Sequence, residues 1–255
     1  MKFVFDLDGT ICFKGQPVSQ HIINALLEIT KGGHEVIFAS ARPIRDMLPV
    51  IDQNLHHYKM IGGNGSIISK DGEIIYTEAF SPNLIDDIKK LIEKYNATYL
   101  IDGHWDYAYT GPSDHRILQN VDPNKLAHLV NVEELDPVIK ILILTSNDFE
   151  QLENEISQLE VFVNKHKNEK ILDISPKGIN KWRALRGLGV QKNDYIAFGN
   201  DSNDIPIFEN ALYSVMIGDH EDLSQYANDQ IVNKDGLEDE IIDRIQDLTK
   251  QYKIK

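Results

Sequence analysis

Short apolar runs alternate with amphipathic segments in the first part of the chain. Residues 3–5, 35–39 and 58–61 are apolar and β-prone, whereas residues 19–31 repeat apolar side chains at helical spacing. The order strand, helix, strand predicts parallel neighbouring strands joined by a crossover helix. The same alternation returns after residue 175, so both ends of the chain are expected to build one parallel-sheet core.

The middle of the chain has a different order of elements. An amphipathic helix is followed by two adjacent strands, and Asp122-Pro123 is expected to open a short helix. A strand, a polar helix and two strands at about 161–166 and 169–174 follow, joined through Asn168-Glu169. The order αββαβαββ predicts an α+β domain inserted into an α/β core. The expected limits are 1–79 and 175–255 for the core, and 80–174 for the cap.

Composition and charge narrow the range of partners. The chain has 255 residues, 42% of them hydrophobic, which is typical of a globular protein with a real core. Its 26 basic and 40 acidic residues give a net charge of −14, which argues against nucleic acid and against anionic membranes as partners. No apolar run approaches membrane-spanning length. Acidic residues interrupt the apolar run at the N-terminus, which argues against a signal peptide, so a cytoplasmic protein is expected. The sequence gives no indication of the oligomeric state.

The first strand ends in two acidic residues, within the stretch Phe-Val-Phe-Asp-Leu-Asp-Gly-Thr. In open α/β sheets the carboxyl ends of the strands face the ligand crevice. Asp6 and Asp8 repel each other unless a cation lies between them, and their oxygens suit Mg²⁺. Asp6 can then attack phosphorus, while Asp8 protonates the leaving oxygen and later activates water. The alternatives are a strand that ends in two solvated acids, or a metal motif for glycosyl transfer.

The second strand ends at Ser40, beside a predicted helix N-terminus that Pro43 suits. The Ser40 hydroxyl and the backbone N–H groups of Ala41 and Arg42 can hold a phosphoryl oxygen there. An N-cap serine and a surface salt bridge of Arg42 are the alternatives. Asn64, within Gly-Gly-Asn-Gly, is a candidate for substrate contact, although a plain turn explains it better.

Two further candidate motifs follow the predicted cap. Lys177 precedes a helix, and its ammonium group can neutralise a phosphoryl group. The apolar strand 195–198 is followed by Gly-Asn-Asp-Ser-Asn-Asp. Like the first strand, it therefore ends in a loop rich in carboxylates. An N-cap cluster is the alternative explanation of this loop.

The stretch Asp-Leu-Asp-Gly-Thr resembles the first motif of the haloacid dehalogenase (HAD) superfamily, and its second Asp points to phosphatases and phosphomutases. Ser40, Lys177 and residues 199–204 match the other three motifs in order. The resemblance implies a Rossmann-like core with a C2B-type cap, as in Cof-type phosphatases of subfamily IIB. The fourth motif of the family reads Gly-Asp-x-x-Asn-Asp, and here Asn200 replaces its first Asp.

The prediction is a Mg²⁺-dependent phosphatase that hydrolyses a small-molecule phosphate ester, such as a sugar phosphate, through an aspartyl-phosphate. The predicted catalytic residues are Asp6, Asp8, Ser40 and Lys177. The predicted substrate contacts are Ser40, Ala41, Arg42, Asn64, Lys177 and Asn203, the last at a family position that contacts phosphate. The predicted metal ligands are Asp6, Asp8, Asn200, Asp201 and Asp204, where Asp201 can supply the carboxylate that Asn200 lacks.

Two other functions fit the same motifs. A phosphomutase of the phosphomannomutase type shares this kind of cap, and a non-catalytic phosphate-binding protein is compatible with a weakened metal site at Asn200. The cap is expected to determine specificity. Trp105, Tyr107 and Tyr109 would share one face of a strand and stack on a sugar or pyridoxal ring, or else form the cap core or the domain seam.

Overall fold

The computed structural model describes residues 1–166, 171–232 and 235–252. In chain order the strands are β1 (Lys2–Phe5), β2 (Glu35–Ala39), β3 (Lys59–Gly62), β4 (Ile67–Lys70), β5 (Glu73–Thr77), β6 (Thr98–Gly103), β7 (Tyr107–Tyr109), β8 (Val138–Thr145), β9 (Val161–His166), β10 (Ile171–Pro176), β11 (Tyr195–Gly199), β12 (Tyr213–Ile217) and β13 (Asp229–Ile231). The α-helices are α1 (Gln20–Lys31), α2 (Ile44–Met47), α3 (Pro82–Lys94), α4 (Phe149–Ile156), α5 (Lys181–Gly187), α6 (Ile205–Phe208), α7 (Glu221–Ser224) and α8 (Leu237–Gln251). Short 3₁₀ turns lie at Gln53–Leu55, Gly63–Gly65, Arg116–Gln119, Val132–Glu134 and Ser202–Asp204.

One sheet has the strand order β13-β12-β11-β1-β2-β3-β4-β5 and forms the core. From β13 to β3 all neighbours are parallel, and Val4 of β1 pairs with Ala197 on one side and Ile37 on the other. The hairpin of β4 and β5 adds two antiparallel strands and turns at Asp71-Gly72, as the sequence predicts. Because β11, β1 and β2 are adjacent and parallel, their carboxyl ends meet at one edge of the sheet.

Apolar spacing explains the helix that crosses from β1 to β2. The Ser19 hydroxyl accepts a hydrogen bond from the N–H of Ile22 and so caps α1. Ile22, Leu26 and Ile29 are fully buried against the sheet. Gly33 then ends the segment with φ +81°, a conformation that glycine adopts without strain.

The second sheet has the order β7-β6-β8-β10-β9, and all its neighbouring strands are antiparallel. Ile88 of α3 and Leu152 of α4 pack against it in one apolar cluster. This sheet interrupts the chain between β5 and α5, which confirms the predicted α/β core with an α+β cap. The domain limits stay a prediction, and β10 runs two residues past the expected end at 174. The expected joint at Asn168-Glu169 and the start of its second strand lie outside the described residues.

The prediction of a short helix at Asp122-Pro123 is wrong. Asp122 has φ +44°, and its carboxylate accepts hydrogen bonds from the N–H groups of Leu126 (2.6 Å) and Ala127 (3.0 Å). An aspartate that bonds the following backbone stabilises a turn in competition with a helix. The observed order of the cap is therefore αβββαββ over the described residues.

A buried ion cluster joins the cap to the core. Arg45 of α2 is fully buried and donates to both carboxylate oxygens of Asp46, at 2.9 and 2.8 Å. It also donates to the Asp102 carboxylate (2.9 Å) and the Trp105 carbonyl (2.6 Å) of the cap. The cap and the core thus share a buried, hydrogen-bonded charge cluster next to the carboxyl edge of the core sheet.

Tyr107 and Tyr109 of β7 pack against the same apolar cluster, as alternate residues on one strand face do, whereas Trp105 lies outside the strand. Trp105 precedes β7, packs against the core cluster and donates from Nε1 to the Leu126 carbonyl (2.7 Å). Tyr107 lies under the Arg45 guanidinium, and the Tyr109 hydroxyl donates to a backbone carbonyl (2.6 Å). These contacts agree with the alternative of cap core and domain seam. No helix in the described ranges is both long enough and apolar enough to cross a bilayer.

Candidate active site

Three loops at the carboxyl edge of the core sheet bring the candidate residues together. Asp6 and Asp8 follow β1, Ser40 follows β2, and Asn200 follows β11. This meeting is a direct consequence of the parallel order β11-β1-β2.

Asp6 is buried, and both of its carboxylate oxygens are held. Oδ1 accepts a hydrogen bond from Nζ of Lys181 (2.7 Å), and Oδ2 accepts one from the Thr10 hydroxyl (2.9 Å). Burial raises the pKa of Asp6 to about 7; the Lys181 ammonium opposes this rise and the Asp204 carboxylate adds to it. An additional positive charge beside Asp6 would favour its ionised form.

The structure does not bring Lys177 to the site, which corrects the prediction for the third motif. The Lys177 side chain is 67% exposed and pairs with Glu160 (2.9 Å) beside the cap. Lys181 is fully buried instead and donates to Asp6 and to Oδ1 of Asp204 (2.6 Å). Helix α5 begins only after its N-cap Asn180, so Lys177 lies before the helix.

A sequence signal for Lys181 was present. Lys181, Ala184 and Leu185 are the buried residues of α5, and their spacing of three and four places them on one helix face. A lysine on the apolar face of a helix needs a buried carboxylate partner. Burial lowers the pKa of Lys181, but Asp204 and Asp6 outweigh it, so its pKa lies above the ordinary value.

Asp8 forms a bidentate ion pair with Arg42. Nε and Nη2 of Arg42 donate to the two carboxylate oxygens of Asp8, at 2.7 and 2.6 Å. Arg42 thus forms a salt bridge, and its partner is the second acid of the site; contact of Arg42 with substrate stays a prediction. Half of the Asp8 side chain stays exposed, so one side of it remains open to solvent.

Ser40 is buried, and its hydroxyl oxygen accepts a hydrogen bond from the N–H of Arg42 (3.1 Å). The N-cap of α2 is Pro43, so the alternative of an N-cap serine does not hold for Ser40. Asn64 lies in a turn with φ +59°, and its Oδ1 accepts a hydrogen bond from Nδ2 of Asn203 (3.0 Å). Among the described residues, no group donates to the buried Oδ1 of Asn203.

The expected metal ligands point in different directions. Oδ1 of Asn200 lies 3.3 Å from the Thr10 hydroxyl, which also binds Asp6. Asn200 approaches this closely because Gly9 has no Cβ, which would meet its Nδ2 at 2.2 Å. Asp8 faces Arg42 instead.

The last two expected ligands, Asp201 and Asp204, are engaged with other partners. Oδ1 of Asp201 accepts hydrogen bonds from the Ser202 N–H (2.6 Å) and lies 3.2 Å from Nε2 of His220. Oδ2 of Asp204 accepts from the N–H groups of Asn200 (2.9 Å) and Asp201 (3.2 Å), while Oδ1 holds Lys181. Over the described ranges, no three His, Cys, Asp or Glu side chains form a metal-binding group. Sequence reasoning missed Thr10, Lys181 and His220.

Comparison with known proteins identifies the family. A model of the haloacid dehalogenase-like hydrolases matches residues 3–241. The chain therefore belongs to the haloacid dehalogenase-like hydrolases. This confirms the predicted HAD superfamily and its Cof-type phosphatase class, and with them the prediction of a phosphomonoester hydrolase.

Named relatives are similar over most of their length. The 5-amino-6-(5-phospho-D-ribitylamino)uracil phosphatase YitU of Bacillus subtilis is 23% identical over 241 residues, which cover 88% of each chain. The HMP-PP phosphatase of Citrobacter koseri is 22% identical over 233 residues, 84% of this chain and 82% of that protein. The solved structure of a HAD subclass IIB sugar phosphatase superimposes with a TM-score of 0.74 at 19% identity, covering 97% of this chain and 98% of the other.

Proposed function

We propose that this phosphatase hydrolyses monophosphate esters of small metabolites with Mg²⁺, through a phosphoryl group carried on Asp6. The observation that supports it best is the environment of Asp6. The carboxylate lies at the carboxyl end of β1, is oriented by Lys181 and Thr10, and is followed two residues later by an acid with an exposed side. A nucleophile fixed by a charged donor beside a separate acid suits covalent phosphoryl transfer.

In the first step an Asp6 carboxylate oxygen attacks phosphorus, and the bond between phosphorus and the leaving oxygen breaks. Asp8 gives its proton to that leaving oxygen, while Arg42 holds the Asp8 carboxyl group in place. The Ser40 hydroxyl and the backbone N–H group of Ala41 can bind phosphoryl oxygens, while the N–H of Arg42 donates to the Ser40 hydroxyl oxygen and orients it.

In the second step a water molecule attacks the phosphorus of the acyl phosphate. Asp8 accepts a proton from this water, the bond between phosphorus and the Asp6 oxygen breaks, and inorganic phosphate leaves. The ammonium group of Lys181 lies 2.7 Å from Asp6 and stabilises the carboxylate that forms again.

The donors around Asp6 fit Mg²⁺. The carboxylate of Asp6 and the amide oxygen of Asn200 both lie within reach of the Thr10 hydroxyl, so they face the same space. Mg²⁺ prefers oxygen ligands and keeps several bound waters. One carboxylate and one amide oxygen are therefore a sufficient number of ligands from the protein. Asp6 and Asn200 would hold the ion, and a bound Mg²⁺ would neutralise charge on the phosphoryl group.

We predict that Asn200→Asp binds Mg²⁺ more tightly than the wild type, by roughly tenfold, because a carboxylate replaces a neutral amide. The matched variant Asp201→Asn is expected to leave Mg²⁺ affinity unchanged, because Asp201 faces Ser202 and His220. Isothermal titration of Mg²⁺ into each protein measures both affinities. Weaker Mg²⁺ binding in Asp201→Asn than in the wild type would assign the ligand to Asp201 instead.

The proposed function predicts metal-dependent release of phosphate. Wild-type protein is expected to release p-nitrophenol and phosphate from p-nitrophenyl phosphate with Mg²⁺ and to lose this activity in EDTA, recovering it when excess Mg²⁺ returns. A panel of phosphorylated metabolites, sugar phosphates first, then ranks the substrates. Transfer of phosphate to a sugar in place of water would identify a mutase, and no turnover on the whole panel would favour a binding protein.

A further inference from the structure

A lysine of the cap reaches into the phosphate loop of the core. Lys140 lies in β8, its side chain is 7% exposed, and its Nζ donates to the carbonyl oxygen of Ala41 at 3.0 Å. The same ammonium group pairs with Oδ2 of Asp173 in β10, also at 3.0 Å. One cap side chain thus contacts the residue between Ser40 and Arg42.

Three consecutive carbonyl groups of this loop have different partners. The Ser40 carbonyl accepts from the N–H of Asn64 (3.0 Å), and the Arg42 carbonyl accepts from the N–H of Gly63 (2.8 Å). These two bonds are made within the core. The Ala41 carbonyl between them is held by Lys140, so this contact is the one that depends on the cap.

The peptide group that Lys140 holds also orients Ser40. Its carbonyl, from Ala41, accepts from Lys140, and its N–H, from Arg42, donates to the Ser40 hydroxyl oxygen at 3.1 Å. A hydroxyl has one proton and two lone pairs, so accepting this bond leaves the proton available. Among the described residues, none accepts a hydrogen bond from the Ser40 hydroxyl. A phosphoryl oxygen can therefore accept a hydrogen bond from this O–H group.

We propose that Lys140 is a positioning residue through which the cap sets the orientation of the Ser40 hydroxyl and the Ala41-Arg42 peptide. This inference rests on the proposed function, in which that loop binds the phosphoryl group. Lys140 fixes the plane of this peptide, and without Lys140 the Ala41 carbonyl loses its donor. Small displacements of a binding group lower the rate of the chemical step strongly.

The competing explanation is that Lys140 serves only as the counter-ion of Asp173. A double variant separates the two roles, because Lys140→Met/Asp173→Asn removes both charges. Lys140→Met alone is expected to lower kcat for p-nitrophenyl phosphate about tenfold and to weaken binding of inorganic phosphate by a similar factor. Lys140→Arg, which keeps a cationic donor, should recover part of both.

Under the proposal, Asp173→Asn keeps kcat near the wild-type value, because the contact between Lys140 and Ala41 is retained. Lys140→Met is expected to lower the thermal midpoint, because the buried Asp173 carboxylate loses the Lys140 ammonium group, and the double variant regains part of that midpoint but keeps the low kcat. Lys94→Met is the matched control, since Lys94 is an exposed cap lysine paired with Glu155 (2.8 Å), and it should match the wild type.

Calorimetric titration with inorganic phosphate tests the inference independently of turnover. Equal phosphate affinity and kcat in the wild type and Lys140→Met would overturn the positioning role, as would recovery of kcat in the double variant. A wild type that binds phosphate but hydrolyses no ester would contradict the proposed function alone, and the phosphate affinities of the variants would still decide the role of Lys140.

Discussion

Asp6→Asn is expected to release no phosphate above background, a loss in kcat of about 10³-fold or more. The amide is nearly the same size as the carboxylate, but it is not a nucleophile and cannot form the acyl phosphate. The assay is release of p-nitrophenol from p-nitrophenyl phosphate with Mg²⁺. Because the carboxylate is buried and its pKa is raised to about 7, ionised Asp6 disfavours folding near neutral pH. The variant is therefore expected to melt at the same temperature as the wild type or higher.

Asp8→Asn is the companion variant for this test. Asp8 faces Arg42 and lies outside the contacts of Asp6 with Thr10 and Lys181, so Mg²⁺ binding should be retained in part while turnover is lost. Calorimetric Mg²⁺ titration and thermal melting separate this outcome from misfolding. Substantial hydrolysis by either variant with the wild-type melting temperature would contradict the aspartyl-phosphate mechanism.

The fold was predictable because each core element carries its own local pattern. The strand at 35–39 and the helix at 19–31 have apolar spacing that leaves few other choices, and both appear within one residue of their expected limits. The parallel order then puts Asp6, Asp8 and Ser40 at one edge without further information. The expected helix at Asp122 failed because a side chain that bonds its own backbone can favour a turn.

Residues whose role depends on side-chain direction were less predictable. Asn200 and Asp201 are adjacent, and our proposal of Asn200 as metal ligand uses the contact of Asp201 with His220, nineteen positions further along the chain. Lys140 of the cap meets Ala41 across 99 positions. Hydrophobic periodicity contains no information about such distant contacts, because it reports which face of an element is buried and not what lies opposite.

Lys181→Met is expected to have a large effect on both activity and stability. Lys181 lies between two buried carboxylates, Asp6 and Asp204, and each contact is shorter than 3 Å. Removing the cation from a buried charge cluster typically costs about 3–5 kcal/mol, because the carboxylates are left uncompensated. With Lys181 absent, Asp6 is protonated more readily and is lost as a nucleophile. Urea unfolding and phosphate release measure the two effects.

The matched control is Lys177→Met, which removes an equal charge four residues earlier. Lys177 is exposed and paired with an exposed glutamate, and exposed ion pairs contribute little to stability. This variant is expected to keep wild-type kcat and melting temperature. Lys181→Met/Asp204→Asn should regain part of the stability, because one buried carboxylate is removed with the ammonium, but no activity. The reverse result, with Lys177→Met inactive and Lys181→Met active, would return the phosphoryl-binding role to Lys177.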